Sequence, residues 1–153
     1  MPRTSADTRL RAWLAVVAWA AVISLFSTTW FSGEHTGGVL LPILRALLPG
    51  ATSDQLLELH TLIRKGAHVF EYAVLGGLLV RALREEGFRG PALLAAAVGL
   101  GVAYAALDEF HQLFVPSRTP SPHDVAVDAM GVVTGALLVL MSRTGLLSRP
   151  AEN

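Results

Sequence analysis

Four stretches of this chain are apolar for long enough to cross a lipid bilayer, and short runs of polar residues sit at their ends. They cover residues 13–31, 67–83, 92–107 and 125–141. At ~1.5 Å per residue the first reaches ~28 Å, about the hydrocarbon thickness, and the others are close to the lower limit for a span. Gly76, Gly77, Gly99, Gly101, Gly131 and Gly135 fall inside these stretches, which membrane helices tolerate better than soluble ones. The pattern predicts an all-α integral membrane protein, a four-helix bundle with residues 1–153 forming a single domain. Arg3, Arg9 and Arg11 precede the first stretch as they would a signal peptide. Its apolar run is longer than an ordinary signal core, however, and its exit Ser27-Thr28-Thr29-Trp30 lacks a small-x-small cleavage site, so it reads as a retained span.

Residues 39–48 (VLLPILRALL) are apolar but too short to cross, and Pro42 interrupts them. They predict a short helix lying in the outer interface between the first two spans. Pro49-Gly50 marks a turn, Asp54 is placed to cap a helix running on toward the second span, and Gly66 is a candidate kink. Pro116, Pro120 and Pro122 stiffen the last long loop. Within it, Ser121, Pro122 and Asp124 take the N-cap, N1 and N3 places of a capping box with Asp in place of Glu.

Composition sharpens the membrane reading. Hydrophobic residues make up 52% of the chain and charged residues only 16%, against about 25% in soluble domains. The net charge is zero and no basic stripe is present, which argues against a nucleic-acid partner. With no cysteine, disulfides, thiolate chemistry and sulfur-ligated metals are excluded. Arginine placement sets an expected orientation. Arg3, Arg9, Arg11, Arg81, Arg84, Arg89, Arg143 and Arg149 fall on one side of four alternating spans, and Arg45, Arg64, Lys65 and Arg118 on the other. The positive-inside rule then puts both termini in the cytoplasm of a multi-pass membrane protein. All five histidines, with Glu71, Asp108, Glu109, Asp124 and Asp128, lie toward the outer face.

Ionisable groups at such depths are costly to desolvate and tend to mark sites. On an ideal helix Lys65, His68 and Tyr72 fall within about 60° of arc, with Glu71 about 60° further round. On the third span Gly101, Tyr104, Asp108, His111 and Gln112 share a face, and Glu109 points roughly 100° away from Asp108. On the fourth, Asp124 and Asp128 stack one turn apart above Gly131 and Gly135, a small-xxx-small seam. Packing these faces would gather the charges into one outward-opening pocket. Plainer roles exist for several of these residues. Lys65 can snorkel to headgroups, Asp124 can serve as a helix cap, Glu109 can face interfacial water, and Tyr72 and Tyr104 can be packing aromatics. His35, His60 and His123 read as surface residues.

No nucleophile elbow or phosphate-binding glycine loop is present. His68-x-x-Glu71 and Asp108-x-x-His111 are the kind of i, i+3 pairs that hold metals in helical bundles, which leaves Zn, Mn or Mg as a weakly supported cofactor and none as the simpler expectation. Lys65 and Arg118 beside His68 and several carboxylates also suit an anionic headgroup with a general acid or base, His being the natural proton shuttle.

Three separated strings carry a resemblance: RKGAHVFEYAVLG over 64–76, DEFHQLFVPSR over 108–118, and Asp124-Val125 with Asp128 and Gly131. In this order they resemble the VanZ-like family, over roughly residues 60–140. The resemblance implies a bacterial integral membrane protein of the cell envelope. The family is named for a member of a glycopeptide-resistance cluster linked to low-level teicoplanin resistance. It also implies a polar signature on Lys65, His68, Glu71, Tyr72, Asp108, Glu109, His111, Gln112, Arg118, Asp124 and Asp128. Asp128 stands where relatives also carry Asn. His68, Glu71, Asp108, Glu109 and His111 are the candidate catalytic groups. Lys65, Tyr72, Gln112, Arg118, Asp124 and Asp128 are the candidate substrate-binding groups. Two classes of function follow: a pocket that binds or processes a membrane lipid or lipid-linked envelope precursor, or a non-catalytic scaffold whose polar cluster locks the bundle or docks a partner.

Overall fold

The computed structural model describes residues 6–28, 33–115 and 121–143. They form five helices: α1 (Ala6–Phe26), α2 (Gly33–Leu47), α3 (Ser53–Glu85), α4 (Gly90–Gln112) and α5 (Pro122–Arg143). No strand occurs among the described residues. Four of the helices, α1, α3, α4 and α5, are long and apolar enough to cross a membrane. At 15 residues α2 is not; it would rise only about 22 Å.

Three contacts fix how α1 runs along the bundle. Near its start Trp13 donates its indole N–H to Glu86, at the turn between α3 and α4 (3.1 Å), and Arg9 pairs with the same carboxylate at 3.6 Å. Just past its end, Ser27 reaches Asp108 near the end of α4. One end of the bundle is therefore rich in arginine, and the other gathers the acidic residues. Leu10, Leu14, Val17 and Leu25 on α1, Leu100 and Leu107 on α4, and Leu138 on α5 are exposed. Such an apolar exterior suits a lipid surround, in which only the backbone and the polar faces need partners.

α3 is the hub, packing against all four other helices. Its closest partner is α5, and glycines explain why. A Cβ on Gly135 would run into the Ala73 carbonyl, one on Gly131 would meet the Val69 carbonyl oxygen at 2.5 Å, and one on Gly76 would strike the Val132 backbone. The small-xxx-small seam thus brings two backbones into direct contact, which is how membrane helices gain dispersion energy without a hydrophobic driving force. Gly101 of α4 extends the seam, since a Cβ there would meet the Val132 side chain.

Three local expectations change. α2 begins at Gly33 and runs unbroken through Pro42. Pro42 and Gly38 are both exposed, so the Gly38 carbonyl that loses its intrahelical donor faces outward, where water or a headgroup can satisfy it. The cap of α3 is Thr52, not Asp54. The Thr52 hydroxyl accepts from the Gln55 N–H at 3.3 Å and the Gln55 side chain accepts from the Thr52 N–H at 2.9 Å, a complete capping box. Asp54 sits in the first turn, where its charge suits the helix dipole. Gly66 is exposed and α3 continues through it.

Candidate functional site

At the acidic end, Glu71, Asp108, Glu109, Gln112 and Asp128 are all buried, together with Ser27 and Tyr72. Each is delivered by a close-packed stretch below it. Asp128 sits one turn above Gly131, where α5 touches α3. Tyr72 packs at the same crossing, its Cβ within 3.0 Å of where a Gly131 Cβ would stand. Asp108 and Glu109 continue the buried row Leu93, Ala97, Gly101 and Ala105.

That row accounts for a correction. Glu109, expected from helix geometry to point roughly 100° away from Asp108, is buried beside it at 7% exposure, and His111, expected on the shared face, is exposed. The contact line follows i+4 steps, each of which turns about 40° further round the helix. By the last turns the buried side has rotated from the His111 edge toward Glu109 and Gln112.

The buried polar atoms are joined by bonds between helices. Asp108 Oδ2 accepts from the Ser27 hydroxyl at 2.6 Å and from the Gln112 amide at 3.2 Å. Glu109 Oε2 accepts from the backbone N–H of Ser121 at 2.9 Å, while the Ser121 hydroxyl accepts from His123 N at 3.2 Å. Ser121 caps α5 as expected, but the second half of the capping box is made by Glu109 from α4 rather than by Asp124. Asp124 is half-buried and lies 3.5 Å from the exposed His123 ring. Trp19 donates to the Glu71 carbonyl at 2.8 Å, which ties α1 to α3. Tyr104 donates to the Ala20 carbonyl at 2.5 Å and shares a bond with Ser24 at 2.9 Å.

His68 Nδ1 stands 3.9 Å from Asp128 Oδ1, and its side chain is 23% exposed against 3% for the aspartate. His68 and Asp124 therefore form the rim, and Asp128 lies on the floor. Four further carboxylates, Glu109, Asp108, Asp124 and Glu71, are close enough to act on Asp128 electrostatically. Tyr72 is fully buried, with its ring 6.2 Å from that of Tyr104. It feels Asp108, Asp128 and Glu109, yet its hydroxyl has no hydrogen-bond partner among the described residues.

The expected set is thus divided. Glu71, Tyr72, Asp108, Glu109, Gln112 and Asp128 converge, with His68 and Asp124 at their edge. Lys65 is half-buried one turn beyond His68, beside a groove lined by Asp54, Leu57, Glu58, Thr61 and Leu62. Arg118 lies outside the described residues. No group of three His, Asp or Glu among the described residues is arranged to hold a metal ion.

Ser27 and His60 are placements that sequence reasoning missed. Ser27, fully buried, looked like part of a polar helix exit. His60 is buried rather than on the surface, contacts Thr36 at 3.3 Å and packs against Gly37. Its spacing of four from the buried Leu56 was the available signal, and the docking of α2 is what covers it.

A family model, VanZ/LLP1, matches residues 12–143. No curated protein sequence and no solved structure is significantly similar to the chain. The match spans α1 through α5 and includes every polar residue of the buried cluster, and the chain accordingly belongs to the VanZ/LLP1 family.

Proposed function

We propose that this protein binds, at the acidic end of its bundle, the polar head of a membrane lipid or lipid-linked precursor of the bacterial cell envelope. The supporting observation is the concentration of buried polar side chains at one end of an otherwise apolar bundle: Ser27, Glu71, Asp108, Glu109, Gln112 and Asp128. One or two pairs would be enough to register four helices. Buried polar networks add little stability over apolar packing, so an excess of them points to a ligand. The arginine asymmetry supports an orientation with this end on the outer side of the cytoplasmic membrane and both termini inside. A link to glycopeptide sensitivity is part of the same reading.

The test is native mass spectrometry of the full chain released from detergent, comparing wild type with His68→Ala and Asp108→Ala. A lipid retained by the wild type and lost from both folded variants is the expected result, with loss of any glycopeptide phenotype in cells. Retention of the lipid and the phenotype by both folded variants would overturn the reading.

A second reading has its own support. The Ser27–Asp108 and Glu109–Ser121 bonds join α1 to α4 and α4 to α5. In a non-catalytic scaffold they would serve as locks, and function would then fall only as folding falls.

A further inference from the structure

α2 and the first half of α3 form an antiparallel pair. Thr36 meets His60 at 3.3 Å, and Arg45 donates to Ser53 at 3.2 Å. Between the two helices runs a groove of about 620 Å³, walled by Gly38, Leu41 and Pro42 of α2 and by Leu57, Thr61 and Arg64 of α3. The sequence explains the opening. Leu57, Thr61 and Arg64 follow one another at helical spacing and share one side of α3. Opposite them Gly38 has no side chain, and a Cβ there would meet nothing within 4 Å. His60 closes the floor, buried against Gly37.

Arg64 is the permanent charge on these walls, and no carboxylate lines the groove among the described residues. The next groove round α3 differs. Lys65, a residue expected to hold an anionic headgroup, shares it with Asp54 and Glu58. Arg64 makes no ion pair among the described residues. It lies just before the apolar stretch that begins at residue 67. The gap is ~4.5 Å of helix, which sets Arg64 in the headgroup layer beside a hydrocarbon core of ~30 Å. A guanidinium at that depth suits a phosphate, which it can grip through two N–H groups. From Arg64 the groove runs ~10 Å away from the membrane, as far as Leu57. That length holds a small polar head rather than an acyl chain. Pro42 has no N–H to give the Gly38 carbonyl, so this oxygen can accept from a hydroxyl of the head. An ammonium on the head would meet Arg64 and no carboxylate, so a neutral polyol fits better than ethanolamine or choline.

We propose that this groove holds the head of an anionic membrane phospholipid, its phosphate on Arg64 and its polyol along Thr61, Gly38 and Pro42. The site is separate from the acidic cluster and does not depend on the reading given to that cluster above. It moves the anion-binding role expected of Lys65 to its neighbour in the chain.

The test uses the full chain in detergent, titrated with dihexanoyl phosphatidylglycerol, phosphatidylethanolamine and phosphatidylcholine, and with glycerophosphoglycerol as the same head without chains. Phosphatidylglycerol is expected to bind about tenfold more tightly than the two zwitterionic lipids. Arg64→Gln should erase that preference. Gly38→Leu should erase it as well by filling the groove, and it suits a helix better than glycine does. Circular dichroism and thermal melting establish that each variant is folded. Arg45→Gln removes a charge from α2 outside the groove and should leave the preference intact. Equal binding of the three lipids by the wild type would overturn the proposal, as would a preference kept by folded Arg64→Gln and Gly38→Leu. A preference lost equally in Arg45→Gln would assign it to diffuse surface charge and overturn the groove. If glycerophosphoglycerol binds as tightly as its lipid, a lipid as the occupant is overturned.

Discussion

Tyr72 and Ser27 show how differently two buried hydroxyls can matter. The Ser27 hydroxyl donates to Asp108 at 2.6 Å, whereas that of Tyr72 has no partner among the described residues. An unsatisfied buried group costs about 1–3 kcal/mol, so Tyr72→Phe should raise the melting temperature of the ligand-free protein in detergent by a few degrees. A fall instead would mean that the hydroxyl is bonded in the folded state. Ser27→Ala should act in the opposite direction, costing about 1–3 kcal/mol because a charged acceptor loses one of its two donors. Equilibrium unfolding of the two variants in parallel reads both signs. Little of this was legible in the chain. Ser27 lies in a polar exit that looks like any interfacial cap. The buried side of α4 near Asp108 depends on how far the contact line has wound by the last turn, and a helical wheel drawn on one helix alone cannot contain that information. Hence Glu109 and His111 exchanged places relative to expectation.

At the level of elements, the seam between α3 and α5 was readable because small residues at i, i+4 have one main use inside a span. Gly135→Ala places a Cβ against the Ala73 carbonyl. Backbone cannot yield as a side chain can, so the expected cost is at least the ~1–3 kcal/mol of core overpacking. Gly99, exposed on α4 with nothing within 4 Å of a Cβ, is the matched control, and Gly99→Ala should leave stability level or raise it by up to about 1 kcal/mol. Thermal melting in detergent separates the two; equal melting temperatures would show that α3 and α5 are not packed backbone to backbone. The shared cap of α5 makes a second prediction. Glu109→Ala removes the acceptor for the Ser121 N–H and should cost about 0.5–2 kcal/mol. Amide exchange in the first turn of α5 should speed up. Glu109→Gln keeps a carbonyl oxygen there and should largely preserve protection. The Ser121-Pro122 start of α5 was visible in the sequence. The use of a carboxylate from another helix to complete its cap was not, because capping rules are written for neighbours in the chain. α2 was underestimated for a related reason: Pro42 looked disruptive until an exposed face offered its freed carbonyl an outlet.

For the whole molecule, the count of four spans was legible from apolar content alone, since a bilayer sets a length that only helices or closed barrels can meet. Orientation depends on charge counted over loops, a property of the entire chain. Reporter fusions after Arg84 and after Arg118 should report cytoplasm and exterior respectively. The reverse result would place the acidic end inside the cell and remove the outer-leaflet part of the proposal. Convergence of the cluster is also a molecular property. Asp128, Asp108 and Glu71 come from three different helices, and only the mutual arrangement of α3, α4 and α5 brings them together.

Val132 stands where the backbone of Gly76 and the notch at Gly101 leave room for it, and it is completely buried. α5 follows α3 and α4 in the chain, so until it docks, the notch in their hairpin is empty and Glu71, Tyr72 and Glu109 lack the cover that α5 gives them. Seating Val132 in that notch is therefore what closes the α3–α4 hairpin over its own polar groups.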